Sequence, residues 1–374
     1  MKRLGYDGPV SADNKASWES VTVSTRIIQQ LPETKSSYMI PAGEGDRYVF
    51  GTQVASIMAN ARSIGDSLEI VLLCGGRGDH FPLHSHEQAS EAIYVLDGKL
   101  EVQIGTQKRL LTTGDYAHIP AGIPHAYKML AHRTRFYSVT IGGEVSDFYR
   151  KIGESYERHE RPHLPQDALT SEKWGEAAEG LDIRFVDVSS VAVEIPLVDN
   201  GTVPDRVVPY ILENGDGDHT LSGDQVHSFL STQAATGGGY IVLMSSGPKG
   251  QPIGEHYHEI TNETFFCIQG SMTLWVDGEE LSLQPGDFVY VPAGVKHKFR
   301  MDSHYTKFMG VLTPGSFEGF FRILGDPYAY PIFPTEPAPY RFDRVIQRIA
   351  ELDLKVTGRP PGVPGPADGK HESA

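Results

Sequence analysis

Two groups of histidine and glutamate recur along this chain with the same spacing. Each group has the order His-x-His, four residues, Glu, and then a third His well downstream. Imidazole nitrogens and carboxylate oxygens are common ligands of divalent transition metals. The spacing therefore predicts one metal site per group, with the ligands His84, His86, Glu91 and His125 in the first and His256, His258, Glu263 and His297 in the second.

The two groups belong to an internal duplication. Each member of the first group lies 172 residues before its counterpart. The same offset aligns positions outside the groups: Gly98, Gly114 and Pro120 fall on Gly270, Gly286 and Pro292. A single constant offset predicts two copies of one domain.

Each copy has the pattern of short strands between tight turns. The run EAIYVLDGKLEVQIG in the first copy corresponds to ETFFCIQGSMTLWVDG in the second. β-Branched and aromatic residues punctuated by Asp-Gly or Gln-Gly pairs are typical of hairpins. The sequence therefore predicts an all-β fold of two tandem jelly-roll β-barrels.

This architecture explains how the groups could converge. Residues two apart share one face of a strand, so His84 and His86 can point at the same metal. Glu91 follows after a turn and is expected to reach the metal from the neighbouring strand, and His125 follows the turn-forming Pro-Ala-Gly sequence at 120–122.

The segments between and beyond the barrels differ in composition. SEKWGEAAEGL predicts a short helix that begins at Ser171, and apolar residues at helical spacing predict an amphipathic helix over about 343–352. The predicted organisation is an N-terminal extension at 1–36, the first barrel at 37–157, a linker with a short helix at 158–200, the second barrel with a C-terminal helix at 201–355, and a disordered tail at 356–374.

Composition excludes several classes of partner. The formal net charge is −15, which argues against binding to nucleic acid or to an anionic membrane. No apolar run approaches the roughly 18 residues of a membrane-spanning helix, and the N-terminal residues lack the apolar core of a signal peptide. With only two cysteines, the chain is expected to be cytoplasmic.

The spacing of both groups is that of the two cupin motifs, so the chain resembles a bicupin. Segments such as SYMIPAGEGDRYVFGTQV, GDYAHIPAGIPHAY and SHYTKFMGVLTPGSFEGFFRILGDPY are similar to the bacterial quercetin 2,3-dioxygenases of the Bacillus type. The resemblance implies that all eight residues are metal ligands and that Glu91 and Glu263 are catalytic carboxylates, which take the proton of the substrate 3-hydroxyl. It also implies cleavage of the heterocyclic C-ring of flavonols such as quercetin by dioxygen, giving a depside and carbon monoxide.

The expected cofactor is one divalent transition metal per barrel. A ligand set without sulfur suits Fe, Mn, Cu, Co or Ni, and a closed tetrahedral zinc site is the alternative. Flavonol and dioxygen are the expected partners, with no nucleic acid and no membrane, and a homodimer remains an open alternative to a monomer.

Other functions remain open from the sequence alone. They are another bicupin chemistry, such as oxalate decarboxylation or cleavage of a different aromatic enol, and a pirin-like metal-binding regulatory protein; storage bicupins typically lack these ligands. A small dianion would need cationic side chains beside the metal, whereas a flavonol needs an apolar pocket. Arg77 and its counterpart Lys249 could supply such a cation, and the duplicated His132 and His304 are expected to be structural.

Overall fold

The computed structural model describes residues 25–158, 161–162, 169–187 and 195–358, and its elements are almost all short strands joined by tight turns. The strands of the first half are β1 Arg26–Ile27, β2 Tyr38–Ile40, β3 Asp46–Phe50, β4 Gln53–Ala59, β5 Leu68–Gly75, β6 His80–Ser85, β7 Ser90–Asp97, β8 Lys99–Ile104, β9 Gln107–Thr112, β10 Tyr116–Ile119, β11 His125–Met129, β12 Thr134–Ile141, β13 Glu154–Ser155 and β14 Arg184–Phe185.

The second half repeats this order. Its strands are β15 Tyr210–Leu212, β16 Asp218–Ser222, β17 Gln225–Ser231, β18 Ile241–Gly247, β19 His256–Tyr257, β20 Asn262–Gln269, β21 Met272–Val276, β22 Glu279–Leu283, β23 Phe288–Val291, β24 His297–Met301, β25 Thr306–Thr313, β26 Asp326–Tyr328 and β27 Lys355–Val356. The helices are α1 Ala61–Ile64, α2 Ser146–Ile152, α3 Ser171–Ala178, α4 Glu318–Leu324 and α5 Phe342–Gln347, with short 3₁₀ helices at Gly315–Phe317 and Ile349–Glu351.

Each copy folds into one large sheet facing one small sheet. The first barrel has the orders β13-β3-β4-β5-β12-β7-β10-β15 and β14-β6-β11-β8-β9, and the second has β1-β2-β23-β20-β25-β18-β17-β16-β26 and β22-β21-β24-β19-β27. Apolar side chains from both sheets of the first barrel pack into one interior core. The predicted all-β fold of two tandem jelly-roll barrels is confirmed.

The central strands of the large sheets are buried on both faces. Along β7, Ile93 and Val95 belong to the core of the first barrel, whereas Ala92 and Tyr94 belong to a second core shared with the other barrel. Side chains alternate between the faces of a strand, so one face fills the barrel and the other packs against the partner barrel. Because both faces are buried, the sequences of these strands are nearly continuous apolar runs.

The two barrels also exchange strands. β2 pairs antiparallel with β23 of the second barrel, and β15 pairs antiparallel with β10 of the first. Matching carboxylates anchor the exchanged segments: Asp287 Oδ1 accepts the amide of Ala42 and Asp115 Oδ1 accepts the amide of Asn214, each at 2.8 Å. Each exchanged strand covers an edge that would otherwise be open to unwanted pairing.

The exchange bears on the predicted domain limits. Those limits place β2 in the first domain and β15 in the second, but the sheets pair each strand with the other copy. The limits themselves stay a prediction. Residues 1–24 of the predicted N-terminal extension and residues 359–374 of the predicted tail lie outside the described residues.

The two predicted helices are present with modified limits. α3 begins at Ser171, and Thr170 caps it by accepting the Lys173 amide. The predicted helix over 343–352 is instead α5 followed by the 3₁₀ helix at Ile349–Glu351, with a break at Arg348. β27 pairs with β19, so Val356, the first residue of the predicted disordered tail, lies in a strand. Within the described ranges, no helix is long and apolar enough to cross a membrane.

A buried histidine lies in the core between the barrels. His118 on β10 is fully buried, and its Nδ1 lies 3.0 Å from the hydroxyl of Tyr240 in the second copy. Burial lowers the pKa of His118 to about 4. The protein therefore holds this ring neutral at the junction of its two halves.

This burial predicts a pH dependence of stability. An unfolded histidine titrates near pH 6.5, so between about pH 6.5 and pH 4 the unfolded chain binds more protons than the folded one. The stability is fully present above about pH 6.5 and is lost as the pH falls towards 4, by about 2 kcal/mol from this residue between pH 7 and pH 5. Chemical unfolding at both pH values should show a smaller loss for His118→Gln than for the native chain.

The exposed His132 provides the matched control. His132→Gln should keep the native pH dependence. A native pH dependence in His118→Gln would contradict the assignment of this loss to His118.

Candidate metal centres

The histidines of each group meet at the ends of paired strands in the small sheet. His84 lies near the end of β6, His86 follows it, and His125 begins β11 directly opposite His84. In the second copy His256 on β19 and His297 on β24 are likewise paired residues. The His-x-His pattern therefore places two rings on one face, and the third ring comes from the adjacent strand.

The glutamates come from the large sheet. Glu91 lies on β7 and Glu263 on β20, so each carboxylate reaches the histidines across the barrel interior. The sequence predicts a neighbouring strand, whereas the structure places each glutamate in the facing sheet, because the chain crosses between sheets after the His-x-His pair. The Oε2 atom of Glu91 is 2.8 Å from His125 Nε2, and that of Glu263 is 3.1 Å from His297 Nε2.

All eight predicted residues come together in two groups of four. Within each group the possible ligand atoms all lie within 4.8 Å of one another, and every member is at most 9% exposed. Each barrel thus carries one three-histidine, one-glutamate group of the type that binds a divalent transition metal. His132 and His304 are exposed and lie outside both groups.

Backbone carbonyls set the orientation of all six rings. Each imidazole places its Nδ1 at a main-chain oxygen, which can only accept a hydrogen bond, so a neutral ring carries its proton on Nδ1. The lone pair of Nε2 is then left to face the group. The acceptors are Pro82, Asp182 and Ile123 for His84, His86 and His125, and Gly254, Asp353 and Val295 for His256, His258 and His297.

One nitrogen in each group has no hydrogen-bond partner among the described residues. These atoms are His86 Nε2 and His258 Nε2, and both are buried. The nearest carboxylate oxygen to His258 Nε2, on Glu263, is 3.7 Å away, too far for a hydrogen bond. Leaving a buried polar atom unpaired costs about 1–3 kcal/mol, and a metal ion in the group would remove that cost. The residues present therefore fit a metal.

The protonation states of the histidines and glutamates also suit a metal site. Burial lowers the pKa of His84 and His86, and it lowers the pKa of His256 to about 3, so these rings are neutral at neutral pH. Burial opposes ionisation of Glu91 and Glu263, but hydrogen bonds and charges from neighbouring histidines lower the pKa of both carboxyls. Burial likewise opposes protonation of His258, and the Glu263 carboxylate outweighs it and raises the pKa of that ring.

Two aspartates that sequence reasoning did not identify hold the loop after each His-x-His pair. Asp182 accepts the amides of residues 87–89 at 2.7–2.9 Å, and Asp353 accepts those of residues 259–261 at 2.6–3.1 Å. Their own carbonyls orient His86 and His258. A signal was available, because Leu-Asp-Ile at 181–183 recurs as Leu-Asp-Leu at 352–354, one residue short of the main offset.

The Pro-Ala-Gly turns link the third histidine to the first two. The amide of Gly122 donates to the carbonyl of His86 at 2.6 Å, and that of Gly294 donates to His258 at 2.7 Å. Both glycines have positive φ, 80° and 87°, a conformation that costs little only for glycine. The turn thus aligns the start of β11 or β24 with the His-x-His strand.

An apolar cavity of about 350 Å³ reaches the second group. His256, Glu263 and His297 form part of its wall, and the exposed side chains of Ile346 and Ile349 lie at its mouth. Aromatic rings make up much of the remaining surface: Phe265, Phe299, Phe317, Phe320, Phe321 and Phe342. The cavity suits a flat apolar ligand that touches the group at one end.

Comparisons with known proteins agree with this geometry. The cupin domain family model matches residues 75–139 and 242–307. Quercetin 2,3-dioxygenase of Bacillus subtilis (strain 168) is 51% identical over 334 residues, which cover 89% of this chain and 99% of that protein. Quercetin 2,3-dioxygenase of Aspergillus japonicus is 31% identical over 147 residues, or 37% of this chain and 40% of that protein.

A solved structure of oxalate decarboxylase from Bacillus subtilis at pH 4.6 has a TM-score of 0.47 and 18% identity, and the match covers 77% of this chain and 78% of that one. The strength of the first match, over nearly the whole of both proteins, decides the family. The chain belongs to the bicupin family of the bacterial quercetin 2,3-dioxygenases.

Proposed function

We propose that the chain is a metal-dependent dioxygenase that opens the heterocyclic C-ring of flavonols such as quercetin with dioxygen, giving a depside and carbon monoxide. The observation that carries this proposal is the three-histidine, one-glutamate group at the wall of an aromatic cavity in the second barrel. The 51% identity to a quercetin 2,3-dioxygenase over most of both chains supports it.

The cavity favours a flavonol over a small dianion. Its volume of about 350 Å³ falls within the roughly 300–1,000 Å³ of small-molecule sites. Neither arginine nor lysine occurs among the described residues that line it. Arg77 and Lys249, the cations that could have served an oxalate-like substrate, are exposed and lie outside its lining.

The eight residues named above are the ligands that we propose, four per barrel. When bound, a divalent transition metal (Fe, Mn, Cu, Co or Ni) supplies electrostatic stabilisation of negative charge on a substrate oxygen. The aromatic walls hold the flavonol flat and exclude water. Two reactants held at fixed positions then gain the advantage of proximity.

The glutamates are the proposed proton acceptors. Glu263 lines the cavity, and neighbouring histidines keep its pKa low, so it is ionised at neutral pH. Its carboxylate can accept the proton of the flavonol 3-hydroxyl, which leaves the electron-rich enolate that dioxygen attacks. Glu91 occupies the equivalent position in the first group.

We also propose a cytoplasmic location. Cys74 and Cys267 are both free thiols, as expected in a reducing compartment. Flavonol and dioxygen are the proposed partners, and the homodimer stays a prediction.

Replacing single histidines should separate the two metal sites. His86→Ala should remove about one metal ion per chain and leave the second barrel loaded, and His258→Ala should do the reverse, because each ring supplies one ligand to one group. Elemental analysis of the purified variants measures this. The control, His132→Ala, should keep both metals. Full occupancy of both sites in His86→Ala would show that this ring is not a ligand.

Replacing both glutamates should separate chemistry from metal binding. Three histidines can still hold part of the metal, but Glu91→Gln with Glu263→Gln lacks the proton acceptors. We expect carbon monoxide release at least about 10²-fold slower than in the native chain, with quercetin still bound. Raising the pH should partly restore the rate, since the flavonol is then already ionised. Near-native turnover in the metal-loaded double variant would restrict the glutamates to metal binding.

A further inference from the structure

The two metal groups are alike, but the space beside them is not. In the second barrel the 350 Å³ cavity reaches His256, Glu263 and His297, and its mouth is open where Ile346, Ile349 and Val356 are 69%, 38% and 49% exposed. Exposed apolar side chains grouped around a cavity mark a site that an apolar ligand enters. The corresponding region of the first barrel is filled by the protein itself.

Aromatic rings occupy that region of the first barrel. Phe81 packs against His84 with ring centroids 4.5 Å apart, and against Trp174 at 4.8 Å. Trp174 in turn stacks on Phe148 at 5.8 Å and contacts Phe185 edge-on at 5.8 Å. Phe81, Phe148 and Trp174 are at most 5% exposed. These side chains form a plug beside the first metal group.

The second barrel has smaller residues at three of these positions. The main offset places Ile253 at the position of Phe81. β14 and β27 pair with equivalent strands, so that Phe185 opposite His84 corresponds to Val356 opposite His256. The same shorter offset that relates Asp182 to Asp353 places Val345 at the position of Trp174. Exchanging two phenylalanines and a tryptophan for aliphatic residues leaves the space that the cavity occupies.

Polar groups suited to a hydroxylated ligand line the cavity of the second barrel. Gln225 and His227 line the cavity, and His227 Nδ1 lies 2.8 Å from Ser245 Oγ. At the equivalent positions of the first barrel, Ala55 and Leu73 replace His227 and Ser245. Gln53, the counterpart of Gln225, is occupied there by the hydroxyl of Tyr127 at 2.9 Å.

The glutamates differ in the same direction. Oε1 of Glu91 accepts the hydroxyl of Ser138 at 2.7 Å, so a substrate hydroxyl would have to displace that contact. Gly310 stands at the position of Ser138 in the second barrel, so no hydroxyl at that place can bind Glu263. The Ser138 hydroxyl is therefore one more protein group that occupies the first metal group, and it has no counterpart at that position in the second.

We infer that this chain binds and cleaves its flavonol in the second barrel, and that the plug of Phe81, Phe148, Trp174 and Phe185 closes the first metal group to flavonols. The inference rests on the proposed function. Phe81, Trp174 and Phe185 are then the residues that distinguish a closed copy from an open one, and Ile253, Val345 and Val356 are their open counterparts.

The first measurement uses the native chain. With both metals loaded and oxygen excluded, titration with quercetin should saturate at about one flavonol per chain, because one cavity is open. Saturation at about two per chain would overturn the inference. If the chain with both metals neither binds quercetin nor releases carbon monoxide in air, the proposed function fails and this inference fails with it.

The second experiment fills the cavity of the second barrel. Val345→Trp with Val356→Phe rebuilds the plug in the second barrel, and we expect quercetin affinity and carbon monoxide release to fall at least about tenfold while about two metals remain bound. Val207→Trp adds a ring at an exposed valine outside the cavity and should leave both quantities at native values. Native turnover in the double variant would show that flavonol is cleaved elsewhere, in the first barrel. If the double variant lost its metals or failed to fold, the native stoichiometry would decide alone.

Discussion

The contact on which both sites depend is the hydrogen bond from each histidine Nδ1 to a backbone carbonyl. Four of the six rings use the carbonyl two residues before their own, as His84 does with Pro82. The other two, His86 and His258, use the carbonyls of Asp182 and Asp353, about a hundred residues further along the chain. Because a neutral ring with its proton on Nδ1 leaves the Nε2 lone pair free, the orientation of one ring in each site depends on a segment that is distant in the sequence.

The large sheets tie the two copies into one structure. Their central strands bury one face in a barrel and the other in the core between barrels, and β2 and β15 complete the sheet of the opposite copy. Neither barrel can therefore lose its partner without exposing an apolar sheet face and an unpaired edge. The stability of each copy therefore depends on the other. The small sheets that carry the histidines pack against these large sheets.

The two copies differ at positions that the geometry of the ligands does not constrain. The four ligands of a group lie close together, and their positions, their Nδ1 acceptors and the glycine turns recur in both copies. The side chains beyond them only have to fill space. Phe81, Trp174 and Phe185 fill it in the first copy, whereas Ile253, Val345 and Val356 leave it open in the second. Two metal groups with the same kinds of ligand can thus differ in which molecules reach them.

Local pattern was enough to predict much of this protein from its sequence. Two all-β copies with eight candidate ligands follow from the strand periodicity, the 172-residue offset and the His-x-His spacing. Each of these signals is a pattern of residue types and spacings along the chain. The exchange of β2 and β15 and the hydrogen bonds to the carbonyls of Asp182 and Asp353 depend on contacts between distant segments. The cavity could not be predicted from the sequence either, because Trp174 and Val345 are both apolar residues in short helices. Only packing in three dimensions decided that one side chain fills a site and the other opens it.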